Sequence, residues 1–339
     1  MCMLSKLSNR ELVKLIKQKC IPPLLPKFHK GQSGGRVCII GGCEDYTGAP
    51  YFSANATALV GCDLTHVVCE QNAATVIKSY SPNLMVHPYL KADGQGSEMG
   101  KIKSLLSRIH VVVIGPGLGR DASMLDAVKR IIGHLLTEHG GEIPIVIDAD
   151  ALYLVSQDKE VRETLAKFPQ GRIILTPNVV EFKRLYDAVV TNESTAEAPE
   201  AANNDENLQG YEIAQRMNCV VIQKGLQDKI FSPAGKNELL VNEQTGSNKR
   251  VGGQGDTLTG TIACMLSFSR AMFDFKLCGD PSAGEGPHLR WVDYAMLSCY
   301  AGCSITRECA HQAFKATGRA MQTTDLNDRV GQVYHKLFE

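Results

Sequence analysis

The decisive stretch of this sequence is VGGQGDTLTG, residues 251–260, which runs into the apolar segment TIACML, residues 261–266. Three glycines within four positions leave the backbone free to adopt positive φ angles and to approach a ligand closely. The apolar segment predicts a helix, so residues 253–256 are expected at its N-terminus. There the unpaired N–H groups and the helix dipole favour an anion, above all a phosphate.

The acid inside this stretch, Asp256, has two interpretations. A carboxylate repels a phosphate, so it is out of place in a simple phosphate-binding loop. It is well placed as a base that takes a proton from a hydroxyl group while N–H groups from Gly253 to Gly255 hold the phosphoryl group under attack. Alternatively, Asp256 is an ordinary helix-capping acid at a glycine-rich turn.

The composition limits the classes of protein to which this chain can belong. Of its 339 residues, 44% are apolar and 21% are charged, as in an ordinary globular protein with a large core. We expect one domain over residues 1–339, although the length also allows two small ones. Lys plus Arg and Asp plus Glu both number 36, and no basic patch with interleaved aromatic residues occurs, so no nucleic-acid partner is expected. No apolar run approaches the ~18 residues of a membrane helix, so no membrane association is expected.

The twelve cysteines are scattered, and several lie in apolar runs. No pair has CxxC spacing, and the cysteines between Cys299 and Cys309 lack a histidine at zinc spacing. We therefore expect reduced, buried cysteines rather than disulfides or a metal centre, which indicates a reducing compartment.

The first thirty residues carry seven basic side chains and one acidic one, and they have two interpretations. One is a mitochondrial presequence, but Arg and Ser are sparse for that purpose. The other is a folded helix over residues 8–19, in which Ser8 and Glu11 form a capping box before an apolar stripe. We favour the helix, and hence a cytoplasmic protein.

A short buried strand followed by glycines, acids or amides and then by a helix recurs along the chain, as in residues 36–42 and 172–178. Strands and helices that alternate in this way predict a parallel sheet with helices on both faces, hence an α/β fold. Residues 229–231 and 238–241 predict a hairpin. Residues 191–207 predict a mobile loop, because they are rich in Ala, Asn and Glu and have no apolar period.

Ligands bind at the carboxyl ends of the strands in such a sheet. The glycines and polar residues that end the predicted strands should therefore converge on one edge. These residues are Gly41 and Gly42, Gly115 to Gly119, Asp148 and Asp150, Asn178, Lys224 and Gly225, and the stretch from Gly252 to Asp256. Their shared position is stronger evidence for a ligand site than any one motif.

Several motifs together identify the family that this chain resembles. GGQGDTLTG at 252–260 resembles the GxGD element of ribokinase-like kinases, and NVVE at 178–181 resembles their NxxE element. The full set resembles, in order, that of the ATP-dependent NAD(P)H-hydrate dehydratases: HKG at 29–31, YTGAP at 46–50, GPGLG at 115–119, DADAL at 148–152, TPNVVEF at 176–182 and GGQGD at 252–256. The resemblance covers the chain from about residue 29 onward and implies a ribokinase-like three-layer α/β/α fold with a mostly parallel central sheet. Asn178 stands where the ADP-using members usually carry His, so the ATP-using type is expected.

The resemblance implies a hydro-lyase that repairs damaged nicotinamide cofactor. Its substrates are the S epimers of NADH hydrate and NADPH hydrate, whose nicotinamide ring has taken up water at C6. ATP phosphorylates the new hydroxyl group in the presence of Mg²⁺, and loss of phosphate then restores NADH or NADPH. The family often acts beside a separate NAD(P)H-hydrate epimerase, and such a partner is expected here because the sequence contains no recognisable epimerase domain. A homo-oligomer is compatible with the sequence but is not indicated by it.

The resemblance and the residue types together predict the catalytic and substrate-binding residues. Asp256 is expected to be the base, with Gly253 and Gly255 as donors to the transferring phosphoryl group. The expected substrate site consists of Tyr46, Gly117, Gly119, Asn178, Val179, Val180, Glu181, Phe182, Lys183, Arg184 and Asp256. Glu181 would bind Mg²⁺, directly or through water, or would only complement a helix dipole. Arg184 would contact a phosphate or a carboxamide, or would be a solvated helix residue.

The expected ATP site has two parts. Its residues are Lys224, Gly225, Leu226, Gln227, Asp228, Gly246, Ser247, Asn248, Lys249, Arg250, Val251, Gly252, Gly253, Gln254 and Gly255. Lys224 would contact phosphate or would only pair with a carboxylate. Lys249 and Arg250 would contact ATP or would simply be exposed, as adjacent basic loop residues often are.

Three further features allow two interpretations each. Gly115 to Gly119 would hold the substrate phosphate or form a plain turn between a strand and a helix. Tyr46 would stack on the nicotinamide ring or pack in the core. Asp148 and Asp150 would belong to a Mg²⁺ network or would cap a helix that starts at Ala151, and the cap is favoured for Asp150.

Two other functions remain open on the sequence alone. A ribokinase-like kinase of a vitamin alcohol would share the GxGD and NxxE elements and would release its phosphorylated product, but the YTGAP and GPGLG segments argue against it. A non-catalytic nucleotide-binding or scaffold protein would not need a carboxylate at position 256, and the intact turn argues against this class.

Overall fold

A nine-stranded sheet runs through the computed structural model, which describes residues 4–92, 96–191, 206–235, 238–279 and 288–339. Its strands are β1 Arg36–Ile40, β2 Leu64–Glu70, β3 Met85–Leu90, β4 Val111–Ile114, β5 Ile145–Ile147, β6 Ile173–Leu175, β7 Val220–Gln223, β8 Asp228–Phe231 and β9 Leu239–Asn242. From edge to edge their order is β3-β2-β1-β4-β5-β6-β7-β8-β9. The pairs from β3 to β7 are parallel, whereas β8 is antiparallel to both β7 and β9. The predicted mostly parallel sheet and the predicted hairpin are confirmed.

Helices cover both faces of this sheet. In chain order they are α1 Asn9–Lys19, α2 Gly48–Val60, α3 Gln71–Tyr80, α4 Met99–Leu106, α5 Ala122–His139, α6 Ala149–Gln157, α7 Lys159–Leu165, α8 Val179–Tyr186, α9 Glu206–Arg216, α10 Gln254–Phe273, α11 Trp291–Thr317, α12 Thr323–Asn327 and α13 Val330–Phe338. None of these described helices combines the length and the apolar character that crossing a membrane requires. Side chains of α1 to α3 and α10 to α13 pack against one face, and those of α4 to α9 pack against the other. The predicted three-layer α/β/α architecture is therefore confirmed.

The central strands contribute side chains to both cores. Along β1, Val37 and Ile39 point into one core, Cys38 and Ile40 point into the other, and all of them are fully buried. Successive side chains of a strand point to opposite faces of the sheet. Because both faces are covered by helices, these strands are continuous apolar runs, and this made them recognisable in the sequence.

The N-terminal segment forms the helix that the capping box predicted. Ser8 is the N-cap of α1, its side chain accepts from Glu11 N, and Glu11 Oε2 accepts from Ser8 N at 2.8 Å. Asn9 at the start of the helix accepts a hydrogen bond from the Tyr300 hydroxyl group at 2.8 Å. The helix is therefore tied to α11 as part of the folded protein.

The loop predicted over residues 191–207 is too long at both ends. A short π-helix covers Asp187–Thr191, and α9 begins at Glu206. The helical segment continues because Ala188, Val189 and Val190 are buried. The predicted mobility falls on residues 192–205, which lie outside the described part of the chain.

The described cysteines are all free, and most of them are buried, as the sequence predicted. Burial raises the pKa of the Cys20 and Cys309 thiols to about 12. Such thiols stay protonated at neutral pH and pack as small apolar side chains. Cys278 is the exposed one among those described.

α10 packs tightly against α2, and this contact positions the N-terminus of α10. Gly260 lies at the contact, where an ideal Cβ would be only 2.0 Å from Ser53 O. Thr57 Oγ1 donates to Gly260 O at 3.0 Å, and Ser53 Oγ lies 2.9 Å from Thr259 Oγ1. The two helix backbones can approach this closely because no side chain separates them at Gly260.

Gly260→Ala should destabilise the protein, because the added methyl group cannot fit unless α2 and α10 move apart. Overpacking of this kind typically costs about 1–3 kcal/mol, which would appear as a lower midpoint in urea unfolding. Gly133→Ala is the matched control, since Gly133 also lies inside a helix but an ideal Cβ there meets nothing within 4 Å. The control should be neutral or more stable by up to ~1 kcal/mol. Equal losses in both variants would contradict this account of the contact.

Candidate active site

A cavity of about 870 Å³ opens at the carboxyl edge of the sheet, beside the N-terminus of α10. The residues that follow β5, β6, β7 and β9 contribute to its lining. Most of the residues predicted for the substrate and ATP sites line it: Asn178, Val179, Val180, Glu181, Lys224, Gly225, Leu226, Gln227, Asp228, Gly246, Ser247, Asn248, Arg250, Val251, Gly253, Gln254, Gly255 and Asp256. The structure thus brings together segments that are far apart in the sequence.

The glycine loop, residues 251–255, leads the chain into α10. Gly253 is the N-cap of this helix and has a φ of 96°, a left-handed backbone conformation that residues other than glycine rarely adopt. Its carbonyl group accepts from Thr257 N at 3.0 Å. The N–H groups in the first turn of a helix have no acceptor within the helix. Because Gln254 N donates to Val251 O at 3.3 Å, the N–H groups of Gly255 and Asp256 are those of the first turn of α10 that can meet an anion at the cavity.

An ion pair connects neighbouring strand ends at the cavity. Lys224 Nζ lies 2.8 Å from Asp148 Oδ1, and Thr176 Oγ1 donates to the same oxygen at 2.8 Å. Asp148, Thr176 and Lys224 directly follow β5, β6 and β7. The Asp148 side chain is 4% exposed and that of Lys224 is 20% exposed. Lys224 therefore pairs with a carboxylate, as one interpretation predicted, while it also lines the cavity where a phosphate would meet it.

Asp256 has the environment of a base that works near neutral pH. Burial raises its pKa, Asp148 raises it further, Lys224 lowers it, and the resulting pKa is about 7. Burial alone would lower the pKa of Lys224, but the carboxylates of Asp148, Glu181 and Asp256 outweigh burial and raise it. Lys224 therefore stays charged while Asp256 exchanges its proton near neutrality. Because Gly253 is the N-cap of α10, Asp256 is a first-turn acid rather than the N-cap residue.

Glu181 is an acidic residue in the first turn of α8, and it also lines the cavity. Asn178 is the N-cap of α8, and its Oδ1 accepts from Glu181 N at 3.0 Å. In return, Glu181 Oε2 accepts from Asn178 N at 2.9 Å. Burial is the main cause that raises the pKa of Glu181, and Lys224 opposes it. Glu181 therefore lies in the first turn of α8, where it complements the helix dipole, and it still presents a partly buried carboxylate at the cavity, so its role as a Mg²⁺ ligand stays a prediction.

The carboxylates at the cavity fit a magnesium ion only in combination with a ligand. Mg²⁺ is commonly held by one or two protein carboxylates, with water and substrate phosphates as the other ligands. Glu181 and Asp148 both line the cavity and offer such oxygens. Within the described ranges, no group of three or more His, Cys, Asp and Glu side chains could hold a metal ion. Glu181 would therefore hold Mg²⁺ together with the phosphates of a bound nucleotide.

The segment from Lys224 to Asp228 is held in place by Arg307, a residue that the sequence analysis missed. Arg307 Nε lies 2.7 Å from Asp228 Oδ2, and Arg307 Nη2 donates to Gly225 O at 2.8 Å. Asp228 is 6% exposed and also accepts from Gly225 N at 3.2 Å. The Asp228 carboxylate therefore organises this turn, while the residue also lines the cavity, and its place in the ATP site stays a prediction. The sequence did contain a signal for this role, because Arg307 is a charged residue within the buried, Ala- and Cys-rich stretch of α11.

Three residues predicted for the substrate site do not line this cavity. Phe182 is 3% exposed and packs in the core, so its side chain cannot contact a ligand. Lys183 is exposed, and the Arg184 guanidinium lies 5.8 Å from the ring centroid of Tyr153. These positions follow from the helical period, which turns successive side chains of α8 away from the cavity.

Two residues predicted for the ATP site do not line the cavity either. Lys249 Nζ donates to Met321 O at 2.8 Å and also to Arg319 O, so this ammonium group is bound to the C-terminal segment. Gly252 is exposed, and an ideal Cβ there would meet nothing within 4 Å. Lys249 therefore fixes the approach to the glycine loop, and its contact with ATP stays a prediction.

Tyr46, Gly117 and Gly119 lie at the same edge but outside this cavity. They follow β1 and β4, and an ideal Cβ at Gly117 would be 2.6 Å from Tyr46 O, so the two loops are in close contact. Tyr46 is 57% exposed, which shows that the alternative of a core tyrosine is wrong. Their place in the substrate site stays a prediction.

The helix after β5 begins at Ala149 rather than at Ala151, so the favoured interpretation of Asp150 as its cap is wrong. Asp148 occupies the N-cap position, and its carboxylate is turned to Lys224 instead of capping an N–H group. Asp150 accepts from Gly119 N at 3.0 Å and therefore fixes the glycine turn after β4.

Further residues line the cavity without having been predicted as ligand contacts: Ala149, Glu243, Gln244, Thr245, Leu258 and Thr306, together with Arg307. Ala149 has a φ of 48°, which is uncommon for a residue with a side chain. Glu243 to Thr245 follow β9, the last strand of the hairpin. The sequence signal for this group was weak, because the hairpin end carries no glycine cluster.

Comparisons of the sequence with known proteins identify the family to which this chain is similar. A family model described as NAD(P)H-hydrate dehydratase matches residues 37–331. The curated ATP-dependent (S)-NAD(P)H-hydrate dehydratase of Saccharomyces cerevisiae is 64% identical over 99% of this chain and 100% of its own length.

Solved structures share the fold at low sequence identity. A ribokinase-like superfamily protein from Enterococcus faecalis has a TM-score of 0.67 at 21% identity, covering 96% of this chain and 94% of its own. An ADP/ATP-dependent NAD(P)H-hydrate dehydratase from Bacillus subtilis, co-crystallised with ATP and Mg²⁺, has a TM-score of 0.61 at 22% identity, covering 96% and 97%. From its match to the family model and to the yeast enzyme over nearly the whole length, this chain belongs to the NAD(P)H-hydrate dehydratase family.

Proposed function

We propose that this protein catalyses the ATP-dependent dehydration of the S epimers of NADH hydrate and NADPH hydrate to NADH and NADPH, with release of ADP and phosphate. The observation that carries the proposal is the place of Asp256. Its carboxylate has a pKa of about 7 and stands in the first turn of α10, directly after the glycine loop. The yeast relative carries the same activity in its name. A protein that only binds nucleotide has no need of such a base.

The first step is transfer of the γ-phosphoryl group to the hydroxyl group at C6 of the hydrate. Asp256 takes the hydroxyl proton as the oxygen attacks phosphorus, and a base with a pKa near the working pH does this efficiently. Negative charge on the moving phosphoryl group is stabilised by N–H groups of Gly253 and Gly255 and by the Lys224 ammonium group. Bound Mg²⁺ would neutralise further charge on the nucleotide phosphates, held by Glu181.

The second step needs little from the protein. The ring nitrogen lone pair expels the phosphate from C6, because a phosphate ester is a far better leaving group than hydroxide. Loss of a proton from C5 then restores the ring double bond. The hydroxyl oxygen of the hydrate leaves within the phosphate, so the sum is dehydration coupled to the conversion of ATP to ADP and phosphate.

We further propose that the protein acts in the cytoplasm beside a separate epimerase. Addition of water at C6 creates a new stereocentre, so damaged cofactor is a mixture of S and R epimers. A site that accepts only the S epimer leaves the R epimer unrepaired until another enzyme interconverts the two. Such an epimerase would therefore supply the substrate of this protein.

The direct test of the function is recovery of absorbance at 340 nm from purified S hydrate of NADH, with ATP, with ADP and with neither. We expect recovery with ATP and almost none without a nucleotide, because hydroxide is a poor leaving group. Recovery with ADP alone would keep the dehydration but change the phosphoryl donor. No recovery with either nucleotide, together with a stable phosphorylated vitamin alcohol as product, would make the protein a small-molecule kinase instead.

Asp256→Asn should keep ATP binding and lose most of the turnover, because an amide cannot accept the hydroxyl proton and a general base contributes ~10²–10⁴-fold. In the wild type, kcat/KM should rise with pH and level off above about 7, since only the Asp256 carboxylate is active. The residual rate of the variant should lack this rise. The absorbance assay measures both profiles, and calorimetry measures ATP affinity.

The control is Asp126→Asn, which neutralises an exposed carboxylate on α5 and should leave the rate and the pH profile unchanged. If Asp256→Asn retained the full rate, or if it kept the wild-type pH profile, Asp256 would not be the base.

A further inference from the structure

The carbonyl group of Gly252 has a partner outside the glycine loop. Thr323, the first residue of α12, is 5% exposed, and its hydroxyl group donates to Gly252 O. Thr323 also faces the α-carbon of Gly253, where an ideal Cβ would lie 2.9 Å from Thr323 Oγ1 and 3.0 Å from Phe52 Cδ2. The side chains of Thr323 and Phe52 therefore occupy one side of the glycine loop at Gly253, and the other side faces the cavity that Gly253 lines.

The peptide unit between Gly252 and Gly253 is a rigid plane whose C=O and N–H point in opposite directions. Because Thr323 holds the carbonyl oxygen on the filled side, the Gly253 N–H points to the cavity side. Glycine at both ends of the unit makes its rotation easy when the carbonyl group has no partner. The Thr323 hydroxyl group thus decides which end of this peptide faces a bound phosphate.

Residues around Thr323 fix both ends of the glycine loop. We call residues 319–327 the C-terminal brace. Before the loop, Lys249 Nζ donates to Met321 O at 2.8 Å. After the loop, Asn327 Nδ2 donates to Thr257 Oγ1 at 2.8 Å. The brace therefore presents the Thr323 hydroxyl group to Gly252 in one fixed arrangement.

We propose that Thr323 is a positioning residue for phosphoryl transfer, which acts through the Gly252 carbonyl group to aim the Gly253 N–H at the moving phosphoryl group. This inference rests on the function proposed above. A donor aimed at the place where negative charge develops stabilises the transition state more than it stabilises bound ATP. Loss of the hydroxyl group should therefore lower kcat far more than it weakens ATP binding.

The test compares three full-length variants. Thr323→Val removes the hydroxyl group at nearly constant size, and Thr323→Ser keeps it. Thr261→Val is the matched control, because Thr261 is also buried and donates to a glycine carbonyl, Gly302 O at 3.2 Å, deeper in α10. Each variant is measured for kcat and for the KM of ATP with the S hydrate of NADH, and for its Tm. The affinity of each variant for ADP is also measured in the presence of Mg²⁺ and aluminium fluoride, because bound aluminium fluoride mimics the phosphoryl group during transfer.

We expect Thr323→Val to lose about 10- to 100-fold in kcat, with the KM of ATP changed less than about threefold. Affinity for the ADP and aluminium fluoride complex should fall in parallel with kcat, and Thr323→Ser should recover most of both. Thr261→Val should lower the Tm and leave kcat near the wild-type value. If Thr323→Val does not fold, Thr323→Ala takes its place, since it lacks the hydroxyl group as well.

Three results would overturn this inference while the enzyme's function stands: a kcat of Thr323→Val within about twofold of wild type, a loss that Thr323→Ser does not recover, or an equal loss in Thr261→Val. Each would mean that the hydroxyl group contributes only stability or nothing. Failure of the wild-type protein to recover NADH from the S hydrate would instead overturn the proposed function, and this inference with it.

Discussion

The salt bridge between Lys224 and Asp148 is the contact on which the site depends. It joins the ends of β7 and β5 across β6, whose following residue Thr176 donates to the same carboxylate oxygen. The Lys224 ammonium group there interacts with the carboxylates of Asp148, Glu181 and Asp256. Burial raises the pKa of Asp256, the Asp148 carboxylate raises it further and the Lys224 ammonium group lowers it, with the result that it lies at about 7. Burial and the two charges of the salt bridge thus create a base for neutral pH.

Backbone N–H groups of the glycine loop are proposed to stabilise the phosphoryl group, and parts of the chain that are distant in sequence set the direction of these groups. α10 is held against α2 at Gly260, and the glycine loop before it is held by the C-terminal brace. Phosphoryl transfer asks mainly for positioning and charge stabilisation, so rigid attachment of these N–H groups matters as much as their presence. α12, which carries no motif, and the part of α2 that follows the YTGAP segment therefore support the glycine loop and the start of α10.

The sequence predicted the fold class and the edge of the sheet at which the site lies, because both depend on local patterns: buried strands, and the glycines and polar residues that end them. It was less reliable for the direction of individual side chains. Asp228 and Lys249 were predicted within the ATP site, but the sequence could not show that their side chains would bind Arg307 and Met321, which are 79 and 72 positions away in the chain. Phe182 shares a motif with cavity residues but points to the core. Such roles depend on tertiary neighbours that a motif does not contain.

The central claim is that the hydroxyl group of the hydrate is phosphorylated before it leaves. The most direct measurement follows this oxygen atom, using the S hydrate of NADH labelled with oxygen-18 at the C6 hydroxyl group and unlabelled ATP in unlabelled water. Mass spectrometry of the released phosphate should find one oxygen-18 atom for each NADH recovered. Unlabelled phosphate, with the label released as water, would contradict the account, because it would mean that ATP hydrolysis and dehydration proceed without a phosphorylated intermediate.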